Sequence, residues 1–246
     1  MTRLQVSPML RRLAAAIMPA GTLIGAPAVQ AANWSSDHAA SQPYCRRCGA
    51  TVDDAAHTFD GCPHCRGLRI PWQEVWRLGA YHEPLSTWLI DFKFHGGWAW
   101  GRWFGRELAR IIPRTGEEAA GRSLVVPVPL HWRRRMNRGY DQARLIAQTF
   151  ARARSLPLAP LLHRNRPTTA QTTLRSRAAR HGNVRRAFGI APVDLAGWHI
   201  WLIDDVKTTG STAGACARLL RHAGASSVRL AVVAVADPRS SDFKWN

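Results

Sequence analysis

The stretch "WLIDDVKTTGST", residues 201–212, decides how this chain is read. An apolar run with the composition of a buried strand, "WHIWLI", ends abruptly in two adjacent acids, Asp204 and Asp205. Small hydroxyl or glycine residues follow almost at once: Thr208, Thr209, Gly210, Ser211 and Thr212. The pattern then turns helical through "STAGACARLLRHAG", with Gly224 where a helix stop belongs. "SVRLAVVAVA" follows, nearly continuous in apolar residues as a central parallel strand is. Strand, loop, helix and strand in this order form the repeating unit of a parallel α/β sheet.

Upstream, the same alternation continues. "SLVVPV" reads as a buried strand and "YDQARLIAQTFARAR" as a helix by its apolar spacing. "LPLAPLLHR" and "AFGI" read as short extended segments. The expectation is a doubly wound, mostly parallel sheet over residues 122–237, with 238–246 as a tail. Before it lies a Trp-rich segment, 71–121, containing "STWLIDFKFHGGWAWGRWFGRELARII". This reads as a helix, a Gly-Gly break and a second helix ending before Pro113, so the segment is expected to form a helical hood or linker. Its tryptophans are expected to serve packing.

In such a sheet ligands sit beyond the carboxyl ends of the strands, where Asp204 and Asp205 leave a strand spanning 198–203. Backbone N–H groups at a helix start, with hydroxyl donors and a permissive Gly210, suit a phosphate. Acids beside a phosphate loop make sense if one ligand carries a phosphate and, close by, vicinal hydroxyls. Carboxylates accept hydrogen bonds from hydroxyls and help to hold Mg²⁺. A 5′-phosphoribose fits both halves. Neither G-x-x-x-x-G-K-[ST] nor G-x-G-x-x-G is present, which removes the two common nucleotide loops. The plain alternative is an N-cap box with a turn, which accounts for Ser211 or Thr212 but not for the acid pair.

Charge points the same way. The 246 residues carry 34 Lys+Arg against 16 Asp+Glu, a formal net charge of +18, and only Lys93, Lys207 and Lys244 are lysines. Between Arg122 and Arg186 there are 15 arginines and one acid, Asp141. If these share a face they attract phosphate, nucleic acid or an acidic partner; otherwise they are solvated singly. "VVPVPLHWRRRMNRGYDQA" sets His131, Arg133, Arg134 and Arg135 after the strand 123–128, where arginines can neutralise a diphosphate.

Four of the five cysteines form two C-x2-C pairs, Cys45/Cys48 and Cys62/Cys65, separated by 13 residues. Two short knuckles over 44–70 can present four thiolates tetrahedrally to one structural Zn²⁺. His57 and His64 are spare ligands or surface residues, and an exported chain would instead carry disulfides or a redox centre. Cys216 reads as a small core residue. Residues 1–43 read as a weakly structured, apolar leader. "MLRRLAAAIMPAGTLIGAPAVQAANW" has the outline of a secretory signal. Pro19, Gly21, Gly25 and Pro27 break its apolar region and argue against a membrane span, while the paired cysteines suit a reducing, cytoplasmic setting.

Strand, acid pair and "TTGST" together resemble the 5-phosphoribosyl-1-pyrophosphate (PRPP) signature of type I phosphoribosyltransferases. The resemblance narrows to one branch, the ComF/GntX-type competence proteins, on "CRRCG…CPHC", "DFKFHGG", "PVPLHWRRRMNRGYDQA" and "RPTTAQTTLRSRAARHGNVRRAF", across residues 44–236. It implies a phosphoribosyltransferase-like core behind a small N-terminal zinc ribbon with four cysteine ligands. It implies PRPP with Mg²⁺ at Asp204 and Asp205, and the 5′-phosphate on Thr208, Thr209, Gly210, Ser211 and Thr212. Pyrophosphate is implied on Leu130, His131, Arg133 and Arg134. It further implies a cytosolic role in DNA uptake and natural transformation, with single-stranded DNA and a DNA-uptake helicase as partners. Trp132, Arg135, Arg138 and Gln171 are the expected nucleic-acid contacts. Two other readings stay open: a nucleobase phosphoribosyltransferase of purine or pyrimidine salvage, and a single-stranded DNA-binding factor without catalysis. No residue stands out as a base for any acceptor, so turnover is left open. Lys207 is expected to touch phosphate or solvent.

Overall fold

Two strands rich in apolar residues, β5 (His199–Lys207) and β6 (Ser227–Val235), pair in parallel at the centre of the sheet, with His199 opposite Ser227 and Lys207 opposite Val235. They belong to a computed structural model of the chain that describes residues 31, 34, 42–52, 61–130, 140–165 and 187–236. The remaining elements are β1 (Glu74–Ala80), α1 (Leu85–Phe94), α2 (Trp98–Ile111), α3 (Gly116–Ala119), β2 (Ser123–Pro127), α4 (Gln142–Arg154), β3 (Leu162–Arg164), β4 (Phe188–Ile190) and α5 (Ser211–His222). The main sheet runs β1-β6-β5-β2, every pairing parallel, and β3 and β4 form a separate antiparallel pair.

Helices cover both faces, so the doubly wound α/β class holds. One face of the sheet packs α5 through Ala213, Cys216, Ala217 and Leu220, together with Leu162 and Phe188 from the β3/β4 pair. The other packs α1, α2 and α4 through Leu89, Phe92, Phe104, Leu108, Ile146 and Phe150. The helical pattern of α1 and α2 follows the expected Gly96-Gly97 break, and α2 stops at Ile111, before Pro113. Gly105 permits α2 to approach α4 closely, since a Cβ there would lie 2.6 Å from the Ile146 carbonyl oxygen. Asp141 caps α4, its carboxylate accepting from Arg144 N–H at 3.0 Å.

Three findings go beyond the sequence reading. Segment 71–121 is not wholly helical: β1 lies in it and pairs with β6, Glu74 opposite Arg229 and Ala80 opposite Val235. The outer side of β1 meets the cysteine ribbon, where Val75 N–H donates to Arg46 O at 2.7 Å and buried Arg77 donates to Gly49 O at 2.7 Å. Secondly, β5 runs to Lys207 rather than stopping at Ile203, because the apolar run of β6 supplies ladder partners for Asp204, Val206 and Lys207. Its other neighbour, β2, ends at Pro127 opposite Ile203, so the acids still project past that edge.

Thirdly, the arginines between Arg122 and Arg186 do not share one face among the described residues. Arg154 is buried and gives Nη2 to Glu118 Oε1 at 2.7 Å, with both side chains 2% exposed. Its Nε donates to Glu118 Oε2 at 3.1 Å, Nη1 reaches Ala109 O and Ile112 O, Nη2 also reaches Pro113 O, and Trp201 Nε1 donates to Glu118 Oε1 at 2.9 Å. Arg122 precedes β2 and so lies at the amino end of the sheet, away from the acids.

The expected packing role of the tryptophans is seen in Trp88, Trp100 and Trp103. Trp88 stacks on Trp100 with centroids 4.7 Å apart, and Trp34 meets Trp88 and Trp103 at 5.7 and 5.4 Å. Among the described residues no helix is long and apolar enough to cross a membrane.

Candidate functional site

β2 and β5 are neighbours, yet the chain leaves their carboxyl ends toward opposite faces: α4 follows β2 on one side, and α5 follows β5 on the other. That divergence makes the carboxyl ends of these two strands a topological switch point, the usual ligand position in an open parallel sheet. Asp204 and Asp205 occupy it from β5. Leu130, half-buried, stands at the start of the β2 connection, and Tyr140 at its end. His131, Trp132, Arg133, Arg134, Arg135, Arg138 and Gln171 lie outside the described residues, as do His57 and the segments 1–30 and 238–246.

The acid pair folds back on its own backbone. Asp205 N–H donates to Asp204 Oδ1 at 2.9 Å, and Val206 N–H donates to Asp205 Oδ1 at 2.6 Å. Burial and the neighbouring Asp205 charge push Asp204 well above the usual carboxylate range. Asp205 faces the Lys93 ammonium, with Nζ 3.1 Å from Oδ2 and the two side chains 17% and 19% exposed, respectively. Lys93 also draws Asp204 down, though less than burial raises it. Two adjacent carboxylates, one of them reluctant to ionise, form a set that a divalent cation or a pair of hydroxyl donors relieves.

Lys93 is not among the site residues expected from sequence, although its segment "DFKFHGG" carries part of the family resemblance. α1 delivers it. Phe92 is fully buried, and its carbonyl accepts from the Tyr140 hydroxyl, whose ring lies 5.6 Å from the Phe92 ring. "YDQA" therefore ends the β2 connection structurally: Tyr140 ties it to α1, Asp141 caps α4, and Gln142 is buried.

After Lys207 the loop turns through Gly210, which has φ of 74° and is the N-cap of α5 with no side-chain cap of its own. A Cβ at Gly210 would meet Trp72 Cη2 at 2.9 Å and Lys207 Cε at 3.2 Å, so the position requires glycine on two counts. Thr209 Oγ1 and Ser211 Oγ lie 2.9 Å apart, and Ser211 N–H donates to Thr209 Oγ1 at 3.3 Å. Thr208, Ser211 and Thr212 are half-buried and Thr209 is exposed. Lys207 bends back on the loop, Nζ donating to the Thr208 carbonyl at 3.3 Å. Apart from the Thr209 hydroxyl on Ser211 N–H, the glycine N-cap brings no side-chain acceptor of its own, and a helix start lined with hydroxyls is suited to an anion.

The four paired cysteines come together and are buried, with ligand atoms all within 4.8 Å of one another. Cys45 and Cys65 Sγ are 3.7 Å apart, Cys48 and Cys62 3.6 Å, and Cys62 and Cys65 3.9 Å. Four sulfurs at about 2.3 Å from one ion in a tetrahedron stand about 3.8 Å apart, whereas a disulfide needs about 2.05 Å. The cluster thus fits a tetrahedral metal ion, and all four are free thiols. Burial raises Cys48 and Cys65. Cys45 is pushed up by burial as well, but backbone N–H groups of Cys48, Cys62 and Arg47 hold it down to about 7. His64 is exposed and outside the ligand set.

No family model matches the chain. It is 31% identical over 199 residues to competence protein F of Haemophilus influenzae, covering 77% of this chain and 83% of that protein. It is 31% identical over 198 residues to the DNA utilization protein YhgH of Escherichia coli K12, covering 76% and 81%. Solved structures resembling it include the allosteric regulatory enzyme of purine biosynthesis (TM-score 0.40, 18% identity, 58% of this chain). Glutamine PRPP amidotransferase of B. subtilis (0.41, 18%, 58%) is a second. This chain spans 29% and 30% of the lengths of those two. Purine phosphoribosyltransferase from Pyrococcus horikoshii aligns at TM-score 0.36 and 10% identity, over 60% of this chain and 94% of that one.

Proposed function

This chain belongs to the competence protein F family, with the DNA utilization protein YhgH among its relatives, and from that premise we propose that it binds the phosphoribosyl group of PRPP at the carboxyl end of β5. The observation that carries the reading is the sequence of groups along one short path: Asp204 and Asp205 in the last part of β5, beyond the end of β2, then the glycine-capped start of α5 at Gly210. Ribose hydroxyls donate to the two carboxylates. The 5′-phosphate takes the first-turn amides of α5 and the hydroxyls of Thr208, Thr209, Ser211 and Thr212. Leu130, His131, Arg133 and Arg134 are proposed to receive the diphosphate from the β2 connection through charge-assisted bonds. Mg²⁺, held by Asp204 and Asp205, supplies positive charge for the diphosphate.

Calorimetry with PRPP and Mg²⁺ tests this. The wild type binds, and Asp204→Asn/Asp205→Asn loses binding by at least about tenfold, the scale of losing hydrogen bonds to charged groups. Equal affinity in both would overturn the assignment. Paired salvage-enzyme assays with purine and pyrimidine bases test turnover, and release of pyrophosphate with one base would favour the salvage reading.

The names of the relatives support a role in handling DNA, and the 5′-phosphate of a single strand offers the α5 loop the same group as PRPP, without the vicinal hydroxyls that the acid pair would take. In this second reading Trp132, Arg135, Arg138 and Gln171 contact single-stranded DNA, and a DNA-uptake helicase is the partner. Fluorescence anisotropy should then weaken steeply with salt, and further on Arg135→Ala/Arg138→Ala. A flat salt response argues against it. The cysteine cluster is proposed to hold one structural Zn²⁺, and its free thiols suit the cytoplasm. Elemental analysis should find about one zinc per chain and far less in Cys48→Ser.

A further inference from the structure

Trp72 touches both the cysteine ribbon and the loop that opens α5. On one side its indole Nε1 donates to Arg47 O at 2.9 Å, and Arg47 sits inside the first knuckle, between Cys45 and Cys48. Arg47 also spans to the second knuckle, giving Nη1 to Cys65 O at 3.3 Å and Nη2 to Leu68 O at 2.6 Å. On the other side the Trp72 ring lies against Gly210, and its Cζ3 would be 3.7 Å from a Cβ at Gly214 in the first turn of α5. Trp72 is 8% exposed, so the ring is enclosed between the two.

We propose that Trp72 is a positioning residue that passes the state of the cysteine cluster to the loop 208–212, so that metal in the ribbon sets the shape of the anion site. Four thiolates closed on one ion fix both knuckles, and with them the Arg47 carbonyl. That carbonyl anchors a rigid indole with only two side-chain torsions. The indole in turn backs Gly210, the most conformationally free residue of the loop, and holds it in its left-handed turn. A loop already shaped for its ligand binds more tightly than one that must be ordered on binding. Without the ion the knuckles loosen, the anchor is lost and Gly210 is released. The affinity part of this inference rests on the phosphate reading of the loop; the mechanical coupling does not.

The test reads backbone amide exchange of residues 208–214 by mass spectrometry on the full chain, before and after metal removal by a chelator. Metal content and ribose 5-phosphate binding are measured in parallel. Removal of metal should speed exchange at 208–214 by about two- to tenfold, the scale of one net hydrogen bond, with the α4 amides unchanged. Trp72→Phe keeps a ring on Gly210 but loses the donor to Arg47. It should keep its metal, exchange at the faster rate throughout, and no longer respond to the chelator. Unchanged exchange at 208–214 on metal removal overturns the proposal. So does acceleration spread equally over α4, or a Trp72→Phe protein that responds like wild type. If the coupling is seen while metal-loaded wild type fails to bind ribose 5-phosphate, the coupling stands and the phosphate reading falls.

Discussion

The Lys93 ammonium lies 3.1 Å from Asp205 Oδ2 and so brings α1 onto the end of β5. Its charge also restrains the upward shift of Asp204. Lys93→Gln should therefore raise the Asp204 pKa further, read by carbon-13 carboxyl NMR against pH. The same variant should weaken PRPP binding about tenfold if Lys93 turns to the ligand's phosphates when the pocket fills, the scale of one charged hydrogen bond.

Asp204 also carries a stability cost whose pH dependence is fixed in sign. Its folded pKa is raised above the unfolded value. The folded chain thus holds the proton more firmly, and folding is penalised progressively as pH rises from the ordinary carboxylate range upward. Asp204→Asn should raise Tm near neutral pH, by about 2–4 °C for each kcal/mol gained, and the gain should vanish below about pH 4. Melting curves at the two pH values check it; a gain equal at both would contradict the assignment.

Gly210→Ala places a methyl 2.9 Å from the Trp72 ring in a backbone conformation with φ of 74°. The left-handed conformation alone costs about 1–2 kcal/mol. Calorimetry with ribose 5-phosphate should show about a tenfold or greater loss, and thermal melting a lowered Tm. Binding at wild-type affinity would mean that the loop is not the phosphate site.

The buried Arg154–Glu118 pair holds the ends of α2 and α4 to β5 through Trp201. Arg154→Met leaves the Glu118 carboxylate in the core and should cost about 3–5 kcal/mol. Arg154→Met/Glu118→Gln should recover part of that, since a glutamine oxygen still accepts from Trp201. Urea unfolding of the three proteins measures both.

The parts of the site that were legible in the sequence are contiguous in it. Asp204 to Thr212 form one strand end, one turn and one helix start, so their order fixes their neighbourhood. The cysteine pairs were legible because metal ligation constrains spacing. Lys93 and Trp72 were not, because they reach the site through tertiary packing: α1 crosses to β5, and the ribbon closes over Gly210. β1 was hidden for a different reason. "EVWRLGA" carries an arginine on a buried face, which reads as solvent-facing until the ribbon supplies Gly49 O and Thr51 Oγ1 as acceptors. The strand end at Lys207 was missed because acids in a ladder look like a terminus.

The ribbon's grip on β1 has a consequence for handling the protein. Arg46 O takes the Val75 N–H, and Gly49 and Thr51 take the Arg77 side chain, so the flank of the sheet that has no strand beyond β1 among the described residues is closed by the cysteine ribbon acting as a clasp. Opening the clasp would bare a row of backbone donors and acceptors ready to pair with another copy. Cultures starved of zinc should then yield a larger insoluble, β-rich fraction of a chain whose core is intact, and added zinc rather than a stabilising mutation should be the remedy.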